Sequence, residues 1–332
     1  MLWSPMPDTT GPDARGPDAR GHEVRGNTRR PGRLRIGLVG AGRVGAVIAA
    51  ALREVGHEVV AASAVSDASL ARVEALLPGV PIAPPDEVVR AAELVLLTVP
   101  DDEIAAVAAG LAAVEAWRPG QLVVHTSGRH GIAILADAAT PGIVPLAIHP
   151  AMTFTGTSMD RARLHDAVFA VTAPPGMLPI AQALVVEMGG EPIVVEEWDR
   201  PAYHAALVHG ANHVVTAVTQ ASAMLARIGI EEPARVLGPL THASVDGALR
   251  EAPGAVATLT GPVVRGDAGT VAAHLEALAR QPEALYAYRA MARVTADLAL
   301  SGGRIGPAQY ADIIATLGPD APLMAGDTDT EA

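Results

Sequence analysis

The stretch Leu34-Arg35-Ile36-Gly37-Leu38-Val39-Gly40-Ala41-Gly42-Arg43-Val44-Gly45 decides how the rest of the chain is read. Its first six residues make a short apolar run of strand character, and Arg43 to Val55 follows as an alanine-rich segment with helical periodicity. Between them the glycines fall at positions 40, 42 and 45. In a strand-turn-helix setting the first glycine permits the tight turn, the second lets the backbone approach a pyrophosphate, and the third lets the helix pack on the strand. The phosphates would rest on the helix N-terminus, where backbone N–H groups and the helix dipole favour anions. Gly40, Ala41, Gly42, Arg43, Val44 and Gly45 are therefore expected to contact a dinucleotide.

Working outward, strands are expected at Leu34 to Val39, Glu58 to Ala62, Leu94 to Val99, Leu122 to His125, Ile143 to Ile148, Val168 to Thr172 and Ile193 to Val195. Helical patterns lie between most of them, at Arg43 to Val55, Ser69 to Leu77, Asp102 to Ala113 and Pro179 to Met188. Such alternation predicts a mostly parallel, doubly wound α/β sheet covered on both faces. After Glu197 the strand signals stop, and the chain reads as helix to about Leu317, broken at Gly229, Pro253, Gly266, Pro282 and Gly302. Residues 1–33, with the tandem Gly-Pro-Asp-Ala-Arg repeat from Gly11 to Arg20, and 319–332 are too poor in core residues to fold and read as disordered tails. The expected organisation is an α/β domain at 34–196 and an all-α domain at 197–318.

Composition removes several chemistries. Among 332 residues there is no cysteine, and all 24 basic residues are arginine. Thiol nucleophiles, zinc-thiolate sites and Schiff-base lysines are therefore excluded. A net charge of −12 argues against nucleic acid or an anionic membrane as partner. With no apolar run of signal-peptide length near Met1, the chain reads as cytoplasmic.

In an open α/β sheet, ligands bind beyond the carboxyl ends of the strands. At those ends stand Ser63, then Thr98-Val99-Pro100-Asp101, then His125-Thr126-Ser127-Gly128-Arg129-His130, then His149-Pro150 with Thr153-Phe154. Ser63, Thr98, Val99, Pro100 and His125 are candidates for the cofactor, and Asp101 is expected to cap its helix. The acidic residue that usually binds a ribose hydroxyl at the end of the second strand is missing from Ala62 to Ser66, while Ser63, Ser66 and Arg72 could meet a 2′-phosphate. This favours NADP, with NAD the alternative; the serines could equally cap the next helix.

A second signal is the run from Pro201 to Ala226, which holds no Asp, Glu or Arg. His209, Asn212, His213, Thr216 and Gln220 fall on one helical stripe, and a buried central helix fits that pattern. The buried polar groups would be partnered by substrate or by neighbouring helices and a second subunit.

The order Val-Gly-Ala-Gly-Arg-Val-Gly, Leu-Thr-Val-Pro-Asp, His-Thr-Ser-Gly, His149-Pro150 and Asn212-His213 resembles a family of predicted bacterial oxidoreductases. In that family a Rossmann domain similar to the deazaflavin-dependent NADP oxidoreductases precedes a helical domain of unknown function, numbered 2520. The resemblance spans roughly Leu34 to Leu300 and extends to the 6-phosphogluconate dehydrogenase, β-hydroxyacid dehydrogenase and ketopantoate reductase superfamily. It implies a Rossmann domain followed by an all-α domain. It also implies that Ser127-Gly128 contacts substrate and that Asn212 is the asparagine of a Lys-x-x-x-Asn pair whose lysine position is Val208 here. With that lysine absent, histidine is the expected acid–base group.

The leading expectation is NADPH-dependent reduction of a small keto acid, which the resemblance implies is ketopantoate-like, or the reverse oxidation of a hydroxy acid. His209 is the first choice of acid–base residue and His149 the second; Asn212 would orient the reacting oxygen; Ser127, Gly128, Arg129 and His213 would hold substrate. A homodimer through the helical domain is expected. The competing readings are a protein that binds or senses NADP without chemistry, and a metal-dependent enzyme using His209 and His213.

Overall fold

The computed structural model describes residues 32–138, 142–252 and 254–319, so most of both expected tails and Pro253 lie outside the described residues. The described residues form two compact units that divide between Tyr203 and His204.

The first unit is one sheet in the order β2-β1-β3-β4-β5-β6-β7. Its strands are β1 (Arg35–Val39), β2 (Glu58–Ser63), β3 (Leu94–Leu97), β4 (Leu122–His125), β5 (Val144–Pro150), β6 (Val168–Thr172) and β7 (Glu191–Val194). Strands β1 to β5 are parallel, β6 turns antiparallel to β5, and β7 runs parallel to β6. One helical layer comprises α1 (Arg43–Glu54), α2 (Asp67–Leu76), α5 (Met159–Leu164) and α6 (Leu178–Glu187). It packs Val47, Ile48, Leu52, Leu184 and Val185 against Ile36, Leu38, Leu96, Val124 and Ile148. The other layer, α3 (Pro85–Ala91) and α4 (Ile104–Ala113), packs Val88, Val89, Ile104 and Leu111 against Val39, Val95, Leu97 and Val123. Alternate residues of each buried strand thus serve opposite layers.

Helices α3 and α5 were not expected from the sequence. Each is less than two turns long or close to it, too short for helical periodicity to register. Gly37 explains how α3 gets so close: a Cβ there would stand 2.8 Å from the Val88 carbonyl oxygen.

Within the second unit, α7 (Arg200–Leu207, its first residues belonging to the first unit), a π-helical turn (Val208–Asn212) and α8 (His213–Arg227) lead to α9 (Pro233–Arg250). Then come α10 (Pro262–Arg265), α11 (Ala268–Leu278), α12 (Pro282–Ser301) and α13 (Pro307–Leu317). The packed core of this unit is Val263, Val271, Ala292, Ala296, Ile313 and Leu317, all in α10 to α13. Neither α8 nor α9 has a buried residue. The expectation of a buried central helix is corrected here: freedom from charge over Pro201 to Ala226 does not bring burial within one chain, because α8 packs mainly along α9 alone.

Candidate functional site

The turn after β1 is held tightly by the protein at two of its three glycines. Gly40 has φ +90, and a Cβ there would lie 2.9 Å from the Thr98 carbonyl oxygen. A Cβ on Gly45 would overlap the Thr98 hydroxyl, which donates to the Gly40 carbonyl at 2.6 Å. Gly42 is different. Its φ of −71 suits any residue, and the nearest atom to a Cβ there, the Thr98 carbonyl oxygen, would be 3.7 Å away, an ordinary contact. Packing therefore calls for glycine at 40 and 45 and makes no demand at 42, the position where a pyrophosphate must come close to the backbone.

Gly42 also caps α1 without a side-chain bond, and the first turn of that helix carries no acidic residue. The turn is tied to β2 by the Ala41 N–H, which donates to the Ser63 carbonyl at 3.1 Å. Two arginines converge beside it. Arg72 donates to the Ala41 carbonyl at 2.8 Å, and a Cβ on Gly156 would stand 2.8 Å from its Nε and 3.0 Å from Cγ of Arg43. Asp160, buried, holds the Gly156 loop by accepting from the N–H groups of Thr155 and Gly156 and from the Thr155 hydroxyl. Burial pushes its carboxyl up, and these bonds together with the Thr157 backbone outweigh that and hold it below the usual range. Ser66 caps α2 by accepting from the Ser69 N–H, so of the two serines only Ser63 stands at the strand end.

One row of paired residues crosses the sheet where the central strands stop: Ser63, Val39, Leu97, His125, Ala147 and Thr172. Thr98, Val99 and Pro100 follow directly beyond Leu97, at the carboxyl edge of the sheet. His125 does not serve that purpose. It is fully buried, its Nε2 donates to the Gly131 carbonyl at 2.9 Å, and its Nδ1 accepts the Ser127 N–H at 3.3 Å. Both ring nitrogens are used within the loop, so the His125 ring itself has no free donor or acceptor there; burial pushes its pKa down to about 4.

The Ser127 hydroxyl donates to Oδ2 of Asp101 at 2.6 Å and accepts from the His130 N–H at 3.2 Å, and the residue is buried. Asp101 thus braces the neighbouring loop instead of capping α4, whose N-cap is Glu103. Gly128 is buried beside it, and Arg129 is exposed with its Nε directed at Nε2 of His130, 2.8 Å away.

The end of the first unit contributes residues that the sequence reading passed over as a boundary. Arg200 is fully buried; it donates from Nε to the Thr172 hydroxyl (2.8 Å), from Nη1 to the Ser127 carbonyl (3.1 Å), and from Nη2 to the carbonyls of Ala147 (2.9 Å) and Ala170 (3.1 Å). Burial draws its pKa down to about 10, which leaves it charged at neutral pH. Glu197 accepts from the N–H groups of Ile132 and Ala133, and would collide with any side chain at Gly131. The Tyr203 hydroxyl lies 3.1 Å from Nδ1 of His149, with the rings edge to face. Only the adjacency of Glu197, Arg200 and Tyr203, ahead of a charge-free run, signalled this segment in the sequence.

In the second unit, His209 and His213 stand with Nδ1 atoms 3.0 Å apart, both exposed. Asn212 closes the π-helical turn, and its carbonyl accepts from the Thr216 hydroxyl at 3.1 Å. Among the described residues no group of three His, Asp or Glu side chains could hold a metal ion, and no helix is long and apolar enough to cross a membrane.

No curated protein matches the sequence. Among solved structures, the chain is similar to a provisionally named NADP oxidoreductase from Bacteroides fragilis, with TM-score 0.67 at 20% identity over 80% of this chain and 98% of that one. A protein from Thermotoga maritima gives TM-score 0.59 at 21% identity over 80% and 98%. A 1-pyrroline-5-carboxylate reductase from Streptococcus pyogenes gives 0.55 at 18% identity over 81% and 99%. At these identities the likeness shows the fold. Residues 15–150 match the Rossmann-like domain, and residues 167–295 match the domain of unknown function DUF2520. The chain therefore joins an N-terminal Rossmann-like domain to a C-terminal DUF2520 domain.

Proposed function

We propose that this protein is a nicotinamide-dependent oxidoreductase acting on a small keto or hydroxy acid, with NADP(H) its preferred cofactor. The observation that carries the reading is Gly42. No contact among the described residues needs a glycine there, whereas a pyrophosphate on the N-terminus of α1 does. When bound, the nicotinamide supplies or accepts a hydride. The chain's own part is to hold the pyrophosphate on the N–H groups of Arg43 to Gly45 and to attract a 2′-phosphate with Arg43 and Arg72. The absence of a carboxylate at the end of β2 supports NADP over NAD. Thr98, Val99 and Pro100 would line the cofactor, and the loop of Ser127, Gly128 and Arg129 would take the substrate, Arg129 supplying a cation for its carboxylate. Of the three catalytic candidates, His149 belongs to the unit that carries the dinucleotide turn, while His209 and Asn212 belong to the other.

Fluorescence titration with NADPH and NADH tests this reading. NADPH is expected to bind more tightly, and Gly42→Val is expected to abolish binding by both; absence of binding to the unaltered protein would overturn the proposal. Hydride transfer is then followed across 2-keto acids, 3-keto acids and a cyclic imino acid. Tight NADPH binding with no transfer to any of them would favour the sensing role.

We also assign the unburied face of α8 and α9 to a second copy of the chain. Val215 on α8, and Val236 and Leu240 one turn apart on α9, are 66%, 51% and 64% exposed, and the run from Pro201 to Ala226 is free of formal charge. A two-fold interface sets a patch against itself, so charges would face their own copies; a neutral patch avoids that repulsion.

A further inference from the structure

We propose that the Tyr203 hydroxyl, paired with Nδ1 of His149 and set beside the buried Arg200 guanidinium, delivers the proton in the proposed reduction and takes it back in the reverse oxidation. This rests on the oxidoreductase reading above and names the proton source that a chain without lysine must find elsewhere.

Three observations converge on the pair. First, β5 runs on past the row at which β3 and β4 end, through Ile148, His149 and Pro150, so His149 stands at the carboxyl edge where ligands of such sheets bind. Second, Tyr203 meets it at 3.1 Å, and neither ring is fully buried, so the pair remains open to a substrate and to water. Third, Arg200 fixes the same segment to four acceptors drawn from β5, β6 and the Ser127 loop. It places a permanent cation one helical turn before Tyr203, where it favours the phenolate that forms as the proton leaves. Burial of the phenol acts the other way and keeps Tyr203 protonated at rest, the state a proton donor needs.

The balance is simple. In reduction the substrate carbon gains a hydride and its oxygen gains the Tyr203 proton, leaving a phenolate. With Nδ1 protonated, His149 donates to the tyrosine oxygen, and it restores the phenolic proton and recovers its own from solvent. Oxidation reverses each transfer. The charged or titratable groups facing Tyr203 among the described residues are His149 from β5 and Arg200 from its own helix, with Glu197 acting on Arg200.

The test compares full-length Tyr203→Phe and His149→Gln with the unaltered protein. Tyr203→Phe is expected to lower turnover by at least about 100-fold, the lower end for loss of a general acid, with NADPH affinity unchanged. His149→Gln is expected to retain part of the activity and to lose the corresponding limb of the pH profile. A readout independent of turnover is the ¹⁵N NMR titration of His149, whose Nδ1 resonance should lose its hydrogen-bond signature in Tyr203→Phe. If NADPH does not bind the unaltered protein, the oxidoreductase reading fails. If it binds and turns over while Tyr203→Phe keeps the rate and the pH profile, this proposal alone is overturned. An unchanged His149 resonance overturns it even when no substrate of the panel reacts.

Discussion

Ser127 donates its hydroxyl proton to Asp101 at 2.6 Å, and this single bond links the loop that follows β4 to the loop that follows β3. The bond is charge-assisted and its serine is buried, so deleting either partner strands the other. Asp101→Ala and Ser127→Ala should each cost about 1–3 kcal/mol in urea unfolding. The double variant should cost less than the sum, because the two side chains serve one interaction. Strict additivity in that double-mutant cycle would show that the bond does not form in solution.

The three glycines of the first turn separate folding from binding. Gly45→Ala forces a methyl into the Thr98 hydroxyl and should destabilise the protein by about 1–3 kcal/mol, the usual cost of overpacking. Gly42→Ala meets only the ordinary contact at 3.7 Å and should leave stability within about 0.5 kcal/mol of the parent. NADPH affinity should nonetheless fall in Gly42→Ala. Thermal melting with and without NADPH reads both effects; a melting point for Gly42→Ala as low as that of Gly45→Ala would contradict the packing argument.

His125 makes stability depend on pH in a defined window. Its pKa falls from the ordinary 6.5 to about 4 on folding, so between those values the unfolded chain binds the extra proton. Stability from this group is complete above about pH 6.5 and is lost progressively as pH falls toward 4, the full effect being on the order of 3 kcal/mol. Urea unfolding at pH 4.5, 5.5 and 7.5 should therefore show a steeper acid loss in the parent than in His125→Asn. Parallel curves would mean that His125 protonates in the folded state at little cost.

The particular residues show what local sequence can and cannot carry. The dinucleotide turn was legible because its glycines answer to contacts within a few residues and to one neighbouring strand. The strands β3 and β4 were legible because strands buried on both faces are mainly apolar, as in Leu94 to Leu97 and Leu122 to Val124. Arg200 was not, since its four acceptors lie as far as 73 residues away in the chain and no periodicity reports them. His125 resembled a ligand-facing residue because strand ends place both buried and outward side chains in the same motif. The α8 stripe was misjudged because absence of charge over a helix does not by itself bury that helix within its own chain.

That last point can be measured. If a second copy covers α8 and α9, sedimentation at micromolar concentration should give twice the chain mass of 33.9 kDa. Val215→Glu and Leu240→Glu place charges on exposed apolar positions, where a lone chain would tolerate them within about 0.5 kcal/mol. In a two-fold interface each glutamate lies in the patch that both copies share, so the two copies' new charges are desolvated and repel, and the dimer should dissociate. The Rossmann-like unit keeps its own core in α1 to α6, so NADPH should still bind the dissociated chain. A monomer in the parent, or a dimer unmoved by both substitutions, would assign the apolar face of α8 and α9 to something other than a second copy.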